Sequence, residues 1–167
     1  MEPSIELYRT FDFELKHRDA FRQGSLQRKW AREYPFLFDK IDQELAQNQR
    51  FNHFFEWLAA ICVYEETGYL SLVEKYQYPR HKDKRETFRD IVPVPLYELL
   101  MPRGKFGHRQ GPDLFVFDPN NRTNWFFCEV KGLRDYLRQS QLELFREIAK
   151  VSDGKPIRLI QFQVKPR

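Results

Sequence analysis

Asp113-Leu114-Phe115-Val116-Phe117, then Asp118-Pro119-Asn120-Asn121-Arg122-Thr123-Asn124, then Trp125-Phe126-Phe127-Cys128-Glu129-Val130-Lys131-Gly132: this stretch decides the fold. Two short apolar, aromatic-rich runs flank a dense cluster of turn formers, so it reads as two strands joined in a hairpin. Downstream, residues 136–151 carry Gln141, Leu144, Phe145 and Ile148 at helical spacing. Asp153-Gly154 breaks that helix, and residues 157–164 read as a last strand. Upstream, residues 51–67 have a helical stripe of Phe51, Phe55, Leu58 and Cys62, with Phe54 and Ile61 beside it. Gly68 is its stop, and the β-formers of residues 69–78 end at Pro79.

The order is therefore helix–strand–strand–strand–helix–strand, an α/β arrangement around a mixed central sheet. The charged segment from about 79 to 111 is an insertion, with short helices expected near 84–92 and 96–101. Residues 1–50 read as an N-terminal helical extension: Ser25 would cap a helix running toward Ala46, broken or kinked at Pro35. Residues 51–167 form the core domain.

A chain of 167 residues is long enough to bury a real core without disulfides or a structural metal. Its 41% hydrophobic and 31% charged composition excludes wholesale disorder and fibrous repeats. No apolar run is long enough to span a membrane. Met1-Glu2-Pro3-Ser4 lacks the layout of a secretory signal, and Cys62 and Cys128 sit in apolar runs. Both features point to a cytoplasmic protein with reduced core thiols.

The net charge of +4 is mild, but its distribution is uneven. Arg80, Lys82, Lys84, Arg85, Arg89, Arg103, Lys105 and Arg109, with His81 and His108, are opposed only by Asp83, Glu86, Asp90 and Glu98. Such an excess either attracts a phosphate backbone or is a solvated loop. On the first reading Arg80, Lys82, Lys105, His108 and Arg109 contact DNA. The basic loop from Lys105 to Gly111 leads directly toward Asp113.

Glu129 and Lys131 are two apart, so on a strand they face the same side, and a hairpin can set Asp113 opposite them. Two carboxylates and an ammonium among apolar residues are costly to bury unless they bind something. A hard divalent cation suits them, since Mg²⁺ takes oxygen ligands and commonly only one or two carboxylates. A metal that activates water, beside a lysine that stabilises developing charge, is a kit for phosphodiester hydrolysis. There is no zinc-type His/Cys spacing, P-loop, dinucleotide fingerprint or serine-nucleophile elbow.

Pro112-Asp113 followed by Glu129-Val130-Lys131 on a strand–turn–strand resembles the signature of the PD-(D/E)XK nuclease superfamily. Gly111-Pro112-Asp113-Leu114, Glu129-Val130-Lys131-Gly132, Asp135 and Gln141 resemble the virus-type replication-repair nuclease (VRR-NUC) group within it, over residues 51–164. The resemblance implies a restriction-endonuclease-like αβββαβ core and a Mg²⁺-dependent nuclease, with Mn²⁺ able to substitute. It implies Asp113, Glu129, Lys131 and Gln141 as catalytic residues, with metal held by Asp113, Glu129, the Val130 backbone carbonyl and Glu56.

Glu56 shares a helix row with Ala59, Ala60 and Val63; it is either a metal-side acid or a partly exposed helix-start glutamate. Glu65, Glu66 and Glu74 are weaker candidates. Gln141 either caps local backbone or reaches into the site, and Asp135 reads as a turn or N-cap residue. The substrate implied is DNA, branched or flapped, in repair, recombination or phage defence. Two cuts across a symmetric junction would require a homodimer. The alternatives are a nucleic-acid-binding module of the same fold without activity, or an interaction domain whose acids form an ion-pair network with Lys131.

Overall fold

The computed structural model describes residues 5–73, 76, 78, 80–101 and 111–166. In chain order their elements are β1 (Ile5–Phe13), α1 (Leu15–Arg22), α2 (Ser25–Glu33), α3 (Lys40–Asn48), α4 (Phe54–Thr67), β2 (Leu70–Val73), α5 (Lys82–Ile91), α6 (Val94–Leu100), β3 (Leu114–Asp118), β4 (Asn121–Lys131), α7 (Gln139–Val151) and β5 (Ile157–Val164). The protein is mixed α/β. One five-stranded sheet has the order β1-β5-β4-β3-β2, with β5 parallel to both neighbours and β2, β3 and β4 antiparallel. No helix among the described residues is long and apolar enough to cross a membrane.

Strand alternation sends side chains to two separate cores. Leu114, Val116, Phe126, Cys128, Val130, Ile160 and Phe162 pack with α4 and residues of α1–α3 on one face. Phe115, Phe117, Trp125, Phe127 and Ile157 pack with residues of α5, α6 and α7 on the other. Glu129 and Lys131 have the parity of Phe127, so they belong to the α7 face. Burial raises both thiols, Cys62 to about 12, so they stay protonated.

The expected N-terminal helical extension needs correction, because it begins with a strand. Residues 5–13 form β1 at the sheet edge, parallel to β5. A register shift between Leu7 and Arg9 hides this strand in the sequence. Ile5 packs in the α7-side core whereas Tyr8, Phe11 and Phe13 pack in the α4-side core. Ile5 and Phe11 would share a face in a regular strand; the irregularity flips the parity and erases the alternation. The helices α1–α3 follow. Gly24, not Ser25, occupies the N-cap of α2, while the Ser25 hydroxyl donates to the Ala20 carbonyl. The break at Pro35 falls between α2 and α3.

Helix α4 starts at Phe54, and Phe51 is 76% exposed rather than on its buried stripe. The buried residues are Phe54, Trp57, Ala59, Ala60, Ile61 and Val63, spread round the helix, which is covered by the sheet on one side and by α1–α3 on the other. Gly68 ends it in the left-handed region (φ 74°), its N–H donating to the Tyr64 carbonyl at 2.8 Å.

Strand β2 stops at Val73, short of the expected residue 78, and the fully buried Tyr76 turns into the α7-side core. Strand β4 begins at Asn121 inside the stretch read as turn, since Asp118 already pairs with Asn121. Helix α7 begins at Gln139 rather than at residue 136.

Candidate active site

The hairpin register sets Leu114 opposite Cys128, so Asp113 falls beside Glu129 at the end of the β3–β4 ladder. Asp113 Oδ2 accepts from the Val130 N–H at 2.8 Å. The Glu129 carboxyl accepts from the Asp113 backbone and hydrogen-bonds its side chain, which puts the two acids in direct contact. Tyr76 fixes the approach to Asp113: its buried hydroxyl donates to the Pro112 carbonyl at 2.8 Å. Burial, and next the negative Asp113 and Glu129, raise the Tyr76 pKa well above its ordinary value, so it remains a donor.

Glu129 and Lys131 are 4% and 5% exposed, and their charged groups are 3.2 Å apart. Burial pushes the Glu129 carboxyl above the usual carboxylate range, against the pull of Lys131. Gln141 in the first turn of α7 joins both. Its Nε2 donates to Glu129 Oε1 at 2.6 Å, and its Oε1 accepts from Lys131 Nζ at 3.3 Å and from the Arg138 N–H at 2.9 Å. Gln141 thus caps the helix backbone and at the same time bonds both members of the Glu129–Lys131 pair. Asp135 lies in the turn after β4, its carboxylate 3.8 Å from Lys131 Nζ. The N-cap position is filled by Arg138 instead.

These groups line a cleft of about 720 Å³ whose rim includes Glu56, Gly111, Asp135, Arg138, Arg146 and Lys150. Val130 also lines it; its side chain belongs to the opposite core, so it presents main chain there. Glu56 reaches the cleft because α4 abuts the β4 exit at Gly132. A Cβ added at Gly132 would lie 2.4 Å from the Phe55 ring. That ring has little room to yield, having Phe13, Phe54 and Phe162 within 5.1–5.3 Å and the Arg18 guanidinium 5.0 Å above it. Gly132→Ala is therefore expected to destabilise the protein by about 1–3 kcal/mol through overpacking, measured by urea unfolding.

Glu65 and Glu66 lie roughly 13 Å or more along the helix from Glu56, at 1.5 Å per residue. Glu65 accepts from the Tyr34 hydroxyl, and Glu66 pairs with Arg9 at 3.3 Å. Neither is among the residues lining the cleft. Glu74 lies outside the described residues.

The basic stretch is only partly available as a charged surface. Lys84 is 6% exposed: its ammonium pairs with Asp42 of α3 and donates to the Val73 carbonyl at 2.8 Å. His81 is buried as well, at 4% exposure. Arg80 is exposed and 3.5 Å from Glu44, and Lys82 is exposed at the start of α5. Neither Arg80 nor Lys82 is among the residues lining the cleft. Lys105, His108 and Arg109 lie outside the described residues.

A second group escaped sequence reading. One ligand-type atom each of Asp39, Asp42 and His81 lie within 4.8 Å of one another, a spacing that could hold a metal ion. Its oxygens are already engaged: Asp39 and Asp42 cap α3 reciprocally, and Asp42 also binds Lys84. A cation there would compete with the Lys84 ammonium. Only proximity across α3 and α5 reveals this group, and no sequence spacing signals it. Comparison with models of protein families, with curated proteins and with solved structures finds no match.

Proposed function

We propose that the chain is a metal-dependent nuclease that hydrolyses DNA phosphodiester bonds, on a restriction-endonuclease-like core formed by α4, β2, β3, β4, α7 and β5. One observation carries the reading: the Asp113 and Glu129 carboxyls touch, with the Lys131 ammonium 3.2 Å from Glu129, in the lining of an open cleft. A purely structural ion pair has no need of a second acid against the first; two carboxyls in hydrogen-bond contact must share a proton or a cation.

The donor set fits a hard divalent cation. Mg²⁺, or Mn²⁺ in its place, would be held by Asp113, Glu129 and the main chain of Val130, with Glu56 acting directly or through water. When bound, such an ion supplies Lewis acidity toward the phosphate and lowers the pKa of water. The chain's own residues do the rest. Lys131 sets positive charge where negative charge grows on the phosphate. Gln141 locks Lys131 and Glu129 in one geometry, and Tyr76 holds the chain entering Asp113. A homodimer and a cytoplasmic setting accompany this reading when the substrate is a symmetric junction inside the cell.

Thermal unfolding with MgCl₂ tests the site. At ten times its Kd, Mg²⁺ stabilises by about 1.4 kcal/mol, a Tm rise of roughly 3–6 °C for a chain of this size. Asp113→Asn is expected to abolish that rise. An equal rise in Asp113→Asn would move the cation elsewhere, the Asp39–Asp42–His81 group being the first place to look.

A further inference from the structure

We propose that the loop from Leu133 to Arg138 reads unpaired nucleotides, with Tyr136 stacking on a base exposed beside the phosphate being cut; this rests on the nuclease reading. The loop joins Lys131 to α7, and both Lys131 and Arg138 line the cleft. Tyr136 lies five residues beyond Lys131, a contour of at most roughly 18 Å. Asp135 lines the cleft as well, so the loop borders the place where a ligand would meet the acids.

The loop is held from below and presents its remaining side chains outward. Gly132 sits against the Phe55 ring, Asp135 is 3.8 Å from Lys131, and Leu137 packs on the α7-side core. Between these anchors, Leu133 is 40% exposed and Tyr136 78% exposed, and Arg134 and Arg138 are exposed with them. Arg134 adopts φ 58°, a left-handed conformation that a branched-Cβ-free but bulky residue enters at a cost. The anchors thus hold the segment while Leu133, Arg134, Tyr136 and Arg138 stay exposed.

A single exposed apolar side chain is ordinary. Here Leu133, Arg134, Tyr136 and Arg138 are exposed in one short segment, with Asp135 among them, between two residues that line the cleft. That is the chemistry of a strand-binding platform: a ring for a base face and guanidinium groups for the phosphates on either side. In a duplex both faces of a base are covered by its neighbours, so a stacking ring favours single strands, flaps and frayed ends. The shared ligand chemistry is an unpaired base on a phosphodiester chain, which single-stranded DNA and single-stranded RNA both offer.

The test measures binding by fluorescence anisotropy, using short labelled single-stranded DNA, single-stranded RNA of the same sequence and blunt duplex DNA. Cleavage of each in Mg²⁺ is followed in parallel. The full chain is compared with Tyr136→Ala and Tyr136→Phe, whose melting temperatures are expected to match the wild type because the side chain is exposed. Wild type is expected to prefer a single strand, and the arm that binds tighter identifies its source. Tyr136→Ala should lose on the order of tenfold in that affinity, the scale of one stacked base, with duplex affinity unchanged and Tyr136→Phe retaining the preference. If Tyr136→Ala leaves the single-strand preference intact, or weakens both forms equally, the loop inference fails while cleavage by the wild type still upholds the nuclease. If the wild type neither binds nor cuts any of the three, both readings fall together.

Discussion

Lys131→Met is expected to lower phosphodiester cleavage by at least 10²–10³-fold, the scale of removing one preorganised charge from a developing oxyanion. The loss should fall on kcat more than on KM, because the ammonium matters most where charge grows. Glu129→Gln should bring cleavage below detection. The amide keeps the shape and an oxygen for Gln141, but it surrenders the charge that would hold the cation. Both variants break the buried Glu129–Lys131 pair and should themselves cost up to about 3–5 kcal/mol of stability, so activity is compared at a temperature below each variant's own unfolding transition. Circular dichroism alongside the cleavage assay checks this. Retention of near-wild-type activity in either variant would remove these groups from the chemistry.

The second large effect concerns stability. Lys84→Ala is expected to cost stability most above neutral pH, up to about 3–5 kcal/mol, because it leaves a buried acid without its counter-charge. Lys84 reaches from α5 to Asp42 of α3 and to the Val73 carbonyl at the end of β2, so it ties three elements at one point. Burial pushes the Asp42 carboxyl up to about 7, with Lys84 pulling it down and Asp39 pushing it further up. Its folded pKa is thus above its unfolded value of 3.8. Between these two values the native state holds a proton that the unfolded chain has released. Stability from this group therefore falls as pH rises from about 4 to about 7. Without the downward pull of Lys84 the Asp42 pKa lies higher still, so both native proteins hold the proton between about 4 and 7: the Lys84→Ala deficit should be flat in that window and grow as the pH rises above about 7. Urea unfolding at several pH values measures it; a deficit that grows on acidification would contradict this account of the pair.

The hairpin and the acid–lysine cluster it carries were legible because both use short-range rules. Apolar runs around Asp118-Pro119-Asn120 announce the turn, and strand parity alone sets Glu129 and Lys131 on one side. The stripe of α7 was legible for the same reason, and it led to Gln141. Features made by distant contacts were not. The register irregularity near Tyr8 destroyed the alternation that would have announced β1. Helix α4 is covered on opposite sides, so its apolar residues no longer mark one face, and Phe51 was assigned to a stripe it does not join.

Charge misled in a different way. Lys84 looks like any member of a basic run, and only Asp42, far off in sequence on α3, shows that it is a buried tie. Gly132 read as a strand terminator, while its need for a missing side chain comes from Phe55 on α4. Glu56 was reachable from its row with Ala59, Ala60 and Val63, which are all fully buried, but its place in the cleft depends on that same Gly132–Phe55 contact.

The most direct measurement is cleavage itself: purified wild-type protein and Glu129→Gln incubated with labelled single-stranded, duplex, flap and four-way DNA, in Mg²⁺, in Mn²⁺ and in EDTA. The site geometry predicts phosphodiester cleavage by the wild type in either metal, none in EDTA and none by Glu129→Gln in any condition. Intact DNA throughout with folded, metal-supplied wild type, or equal cleavage by Glu129→Gln, would contradict the assignment of Asp113, Glu129 and Lys131 as a nuclease centre.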